Sequence, residues 1–176
     1  MNMTVRSATT ADAEAACTVL RRSIAECCGE DHHNDPELLS VWLKNKTPEN
    51  VAAWFSALEN FSVVAILGEQ VIGVGLLTKK GELALCYVLP EVRFSGIRKA
   101  LLRAMESYAV HARLTEIRLS STATAKAFYL RNGFMQSSPP EVEFGIQTFP
   151  LIKRLGANPA FNTDLRVAAR PSAGDR

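Results

Sequence analysis

Residues 83–106, LALCYVLPEVRFSGIRKALLRAME, decide how this chain is read. An apolar run typical of a strand ends at Pro90 and a short loop follows. From Gly96 the apolar residues recur at helical spacing: Ile97, Leu101, Ala104, Met105 and then Tyr108. A strand therefore feeds the start of a helix. The first N–H groups of a helix have no internal partner, and the helix dipole adds partial positive charge there. Such an end receives phosphate readily. Gly96 lacks the Cβ that would hold an anion off the backbone. Arg93, Arg98 and Lys99 crowd the same end, where cations are disfavoured unless an anion offsets them. A diphosphate meets that need, and a solvated basic helix edge is the plainer alternative.

Working outward, two short apolar runs precede this segment and a third opens it: SVVAIL (62–67), VIGVGLL (71–77) and ELALCYV (82–88), separated by Gly68-Glu69 and Lys79-Lys80-Gly81. Tight turns between β-rich runs predict an antiparallel meander. Before them, Thr4 to Arg6 reads as a strand. Thr10 is expected to cap a helix whose face is Ala16, Leu20, Ile24 and Cys28 and which Gly29 ends. Asp35-Pro36 and Thr47-Pro48 each start another helix, and Val51, Trp54, Phe55 and Leu58 form one apolar face of the second. After the central helix come a strand EIRLS (116–120), a helix over 122–132 and a final strand, VEFGIQTFPLIK (142–153). Pro150 is expected to demote part of that strand to an edge. The order predicts an α/β protein with one mixed, largely antiparallel sheet of about six to seven strands and helices on both faces. Residues 1–155 are expected to form one domain, and 156–176, rich in Gly, Pro, Ala and Arg, a poorly ordered tail.

The chain has 176 residues, of which 47% are hydrophobic and 22% charged, with a net charge of +2. Such a balance suits a folded domain and gives no support to a nucleic-acid partner. No apolar run reaches the length of a membrane span, and the first residues lack the layout of a secretory signal. Cys17, Cys27, Cys28 and Cys86 are then expected to be reduced thiols in a cytoplasm. Cys27, Cys28, His32 and His33 invite a zinc reading, but adjacent cysteines cannot readily aim both thiolates at one ion. No metal is expected there. Trp42, Trp54 and Phe55 are expected to pack rather than to line a pocket.

Two motifs carry a family resemblance. Arg93-Phe94-Ser95-Gly96-Ile97-Arg98, with its lead-in YVLPEVR, resembles motif A of the GNAT superfamily of N-acetyltransferases, Arg/Gln-x-x-Gly-x-Gly/Ala. Downstream, AKAFYLRNGF (125–134) resembles the family's second signature, with Ala125, Tyr129, Gly133 and Phe134 matching. The resemblance implies an enzyme that takes the acetyl group of acetyl-coenzyme A, as cosubstrate, and passes it to a primary amine. The pantetheine arm would run between two splayed strands and pair with backbone around Tyr87 and Val88. Arg93, Phe94, Ser95, Gly96, Ile97, Arg98 and Lys99 would grip the diphosphate. Thr122, where the family often has Asn, would reach the cofactor arm. Arg98 replaces a small residue, so it is expected to point outward toward a phosphate.

Direct attack in a ternary complex needs an acid for the departing thiolate, and Tyr129 matches the family's catalytic tyrosine. Glu82 is the first candidate base, acting through water, with Asp31 and His32 behind it. Cys86 shares a strand face with Glu82 and reads as a small buried hydrophobe. A coenzyme A-binding sensor without turnover is the alternative, and O-acetylation or a longer acyl group remains open. The acceptor, a small molecule or peptide, is not named by any motif. The edge of the final strand offers a surface for a homodimer.

Overall fold

The computed structural model describes residues 2–156. Its first sheet is an antiparallel meander of β1 (Met3–Ser7), β2 (Asn60–Leu67), β3 (Gln70–Thr78) and β4 (Leu83–Val88) in that spatial order. Between β1 and β2 lie α1 (Ala13–Cys27), α2 (Gly29–His32), α3 (Pro36–Leu43) and α4 (Pro48–Ser56). The chain then runs through α5 (Ile97–His111), β5 (Glu116–Thr122), α6 (Ala123–Arg131), β6 (Met135–Gln136), β7 (Glu141–Glu143) and β8 (Ile146–Arg154). The second sheet has the order β5-β8-β6, with β7 also pairing to β8.

The described residues thus hold eight strands in two sheets rather than one sheet of six or seven. The sheets touch at one parallel bridge, Glu82 to Arg118, where the Arg118 amide donates to the Gly81 carbonyl at 2.8 Å. Beyond it β4 and β5 diverge. One apolar core nevertheless runs through both, since Val63, Val74, Leu101, Met105, Ile117 and Leu151 belong to a single buried cluster.

Local chemistry explains most boundaries. Both Pro-initiated helices start where expected, and each is capped by the residue before its proline: Asp35 Oδ1 accepts from the Glu37 amide at 2.8 Å and Thr47 Oγ1 from the Asn50 amide at 3.2 Å. The first cap moves by one residue. Thr9, not Thr10, closes a capping box with Asp12 over a 3-10 turn. Gly29 does not end α1; it opens α2 after Cys28. Leu58 leaves the apolar face of α4, lying past its end and exposed, while Val51 is fully buried.

The expectation for Pro150 fails for a geometric reason. β8 is central, with Ser120 of β5 opposite Pro150 and β6 and β7 on the other side. The Pro150 carbonyl accepts from Ser137 at 3.0 Å. The N and O of one residue share an edge in an antiparallel strand, so the missing N–H faces the gap between β6 and β7. With both its sides covered, β8 does not supply the edge on which the dimer expectation rested. The tail expected from 156 onward lies outside the described residues, apart from Gly156 itself.

Candidate active site

The diverging strands open a cleft of about 540 Å³, walled by β4, β5, the start of α5, α6 and the C-terminal end of α1. At its mouth Gly96 caps α5 with φ +87°, and a Cβ built on it would meet no atom within 4 Å. The first bond of the helix runs from the Ala100 amide to the Gly96 carbonyl at 3.0 Å. The amides of Ile97, Arg98 and Lys99 have no acceptor among the described residues, and no acidic residue lies in the first turn. Free donors thus face open space at a dipole's positive end, which fits an anion. Exposed Arg93 and Lys99 flank them. Phe94, at φ +61°, is exposed with the Arg93 guanidinium 4.9 Å from its ring centre.

The free edge of β4 follows from its ladder. The Leu89 amide donates to Ile72 at 2.9 Å, and Tyr87 lies opposite Val74 in the same register. Bonding directions alternate along an antiparallel strand, so Tyr87 spends its backbone on β3, while Cys86 and Val88 turn theirs to the cleft. Tyr87 therefore contributes its side chain, not the exposed backbone expected of it.

Arg98 reverses its expectation. Its side chain folds inward, half-buried, with Nε donating to the Cys86 carbonyl at 3.0 Å and its guanidinium 5.1 Å from the Phe128 ring centre. It spans from α5 to β4 and α6 instead of reaching toward phosphates. Thr122 lines the cleft, but its hydroxyl caps α6 by accepting from the Ala125 amide at 3.3 Å. Ser95 does not line it, and its hydroxyl donates to the Val92 carbonyl. Ile97 packs in the core.

Tyr129 is buried and lines the cleft between edge-on Phe128 and Phe134, with ring centres at 5.1 and 5.4 Å. Burial raises its phenol well above the ordinary value, and the nearby Cys86 thiol acts in the same direction. Burial likewise raises the thiols of Cys86 and Cys28, the latter to about 12. The cleft therefore disfavours the charged forms of Tyr129, Cys86 and Cys28.

Glu82 is not brought to this group. It sits exposed at the bridge where the sheets meet and does not line the cleft. His32 is fully buried, with its Nε2 3.2 Å from the Ile24 carbonyl and its Nδ1 accepting from the Asn34 amide. Asp31, also buried, accepts from the Thr124 amide through Oδ1 at 3.2 Å, while its Oδ2 and Thr124 Oγ1 have no partner. It thereby ties α2 to the start of α6. Trp42 packs edge-on to His32, and Trp54 and Phe55 lie against the core. Among the described residues no three His, Cys, Asp or Glu side chains gather as a metal site. Sequence reasoning missed the wall made by Ser23, Cys27 and Cys28. The α1 periodicity marks only a buried stripe and carries no signal for what its last turn faces.

A strand parted from its neighbour, with free amides and cations at its end, can seat an anionic group and an extended arm in one cleft. The model of the acetyltransferase (GNAT) domain matches residues 30–155. The chain belongs to the GNAT family of acetyltransferases. The PaiA N-acetyltransferase of Thermoplasma acidophilum, solved in complex with coenzyme A, superposes with TM-score 0.74 at 22% identity, over 88% of this chain and 100% of that one. A GCN5-related N-acetyltransferase of Rhodopseudomonas palustris gives 0.77 at 18% identity, over 88% and 99%. The ribosomal-protein-S18-alanine N-acetyltransferase of Escherichia coli gives 0.62 at 15%, over 87% and 94%. At these identities the likeness is one of fold. No curated protein matches the sequence. No helix among the described residues of this acetyltransferase is long and apolar enough to cross a membrane.

Proposed function

We propose that this GNAT protein transfers the acetyl group of acetyl-coenzyme A to a primary amine within a ternary complex, with Tyr129 as the acid. The observation that carries the reading is the open seat at Gly96, where three unpartnered amides stand between Arg93 and Lys99. A diphosphate there directs the arm along the free edge of β4, where Val88 keeps unpaired backbone groups and pairs as an added strand would. The amine nitrogen bonds to the acyl carbon, the C–S bond breaks, and the sulfur takes the Tyr129 proton. The same desolvation that raises the phenol raises a coenzyme A thiol, so the two stay matched. No Asp or Glu among the described residues lines the cleft, so the amine gives its proton to water there. The four free cysteines agree with a reducing cytoplasm.

The lack of a cleft carboxylate also favours a second reading, a coenzyme A-binding module without turnover. Thiol release from acetyl-coenzyme A with an amine panel separates the two. Tight cofactor binding without transfer to any amine selects the second. Calorimetry of Gly96→Ala tests the seat itself. The new Cβ meets no protein atom, so stability falls by about 1–2 kcal/mol for the left-handed backbone. Coenzyme A affinity is expected to fall at least about tenfold, because the methyl stands before the free amides. Equal affinity in the variant removes the seat.

A further inference from the structure

Arg98 stands apart from the other cations of the cleft. Arg93, Lys99 and Arg131 are exposed, whereas Arg98 folds inward and is half-buried. One of its N–H groups is spent on the Cys86 carbonyl. The terminal N–H groups have no acceptor among the described residues, and no acidic side chain pairs with it. The ionisable groups around it are Tyr129, Cys86, Tyr87 and Cys28. Burial keeps all four neutral at ordinary pH. A guanidinium drawn from water without a counter-charge is unfavourable. The cleft therefore lacks one anion on its inner side, beside Tyr129, which the mouth residues do not supply.

We infer that Arg98 receives a carboxylate carried by one of the two reaction partners, on the acyl chain of the donor or beside the amine of the acceptor. This rests on the acyl-transfer reading above. The fixed Nε orients the remaining N–H groups, and a planar guanidinium matches a carboxylate in paired hydrogen bonds. A diphosphate does not need this residue, since the free amides, Arg93 and Lys99 lie at the mouth. An acetyl group carries no charge, so with acetyl-coenzyme A the carboxylate comes from the acceptor. Purely cationic acceptors such as polyamines meet four like charges and no acid among the lining residues, which selects against them.

The test compares wild type with Arg98→Met in two arms, each read as Kd and as KM. The donor arm sets succinyl-coenzyme A against acetyl-coenzyme A. The acceptor arm sets amino acids against their carboxamides on coenzyme A-loaded protein. Wild type is expected to prefer the carboxylate partner in one arm by about 10- to 100-fold, the range of a charge-assisted hydrogen-bonded pair. Arg98→Met is expected to abolish that preference and Arg98→Lys to restore part of it. The arm that responds assigns the carboxylate to donor or acceptor. No preference in wild type, or one that survives in Arg98→Met, overturns the inference. So does a loss of affinity for free coenzyme A as large as the loss for the carboxylate partner, which would make Arg98 a cofactor contact. If coenzyme A binds but nothing is transferred, the acyl-transfer reading fails while the Kd comparison still decides this one.

Discussion

Tyr129 has to hold a proton until a thiolate appears and then release it. Its surroundings do the first part. The ring lies between Phe128 and Phe134, and burial raises the phenol. The folded state thus keeps the proton above the unfolded value near 10. A raised pKa adds stability that is complete below that value and is lost as pH climbs through the folded one. Tyr129→Phe is therefore expected to lower kcat by about 10²- to 10⁴-fold, the usual range for a positioned acid. It should also lessen the drop in melting temperature between pH 9 and pH 11. Unchanged turnover across that range would remove Tyr129 from the chemistry. At this scale the sequence was half legible. Spaced motifs point to Tyr129 and Gly96, because chemistry fixes residue types at set intervals. The direction of the Arg98 side chain depends on the carbonyl of Cys86 and the ring of Phe128, and no local pattern encodes two contacts from separate elements.

At the scale of elements, the seat depends on how closely α5 lies over β3. The Gly-x-Gly of VIGVGLL permits that approach. A Cβ on Gly75 would stand 2.9 Å from Met105 Cε and 3.1 Å from both Met105 Sδ and Val63 Cγ2. On Gly73 it would stand 3.0 Å from Leu101 Cδ1 and 3.3 Å from the Tyr87 carbonyl oxygen. Leu101 and Met105 are fully buried, so a bulky neighbour has nowhere to push them. Gly75→Val is expected to destabilise by about 1–3 kcal/mol, as overpacked cores do. It should also weaken coenzyme A binding by displacing the start of α5. A urea midpoint equal to that of wild type would show the contact to be slack. Gly75→Ala asks less, since Met105 is flexible at its tip. Apolar periodicity and Pro caps made most elements readable in advance. The place of β8 was not, because a strand's neighbours are set by pairing across the chain. Its proline is tolerated where β6 stops, a gap that only the assembled sheet defines.

For the whole molecule, the cleft exists because two sheets share one short bridge and then part. Gly81 holds that junction. Its φ is +84°, its carbonyl accepts from Arg118, and a Cβ on it would lie 2.7 Å from the Glu116 carbonyl oxygen. That oxygen is backbone and cannot rotate aside as a side chain would. Gly81→Ala therefore combines a left-handed backbone penalty with a displaced bridge, together about 2 kcal/mol or more. Because the buried cluster runs through both sheets, the loss should fall on one cooperative transition. A domain of this size loses about 2–4 °C per kcal/mol, so the melting temperature should fall by roughly 4–8 °C in a single step. Saturating coenzyme A should recover part of it, since a ligand at 100 times its Kd adds about 2.7 kcal/mol and would touch both walls. Two separate transitions in Gly81→Ala would mean that the sheets fold independently. The cleft would then be a gap between units rather than a feature of one fold.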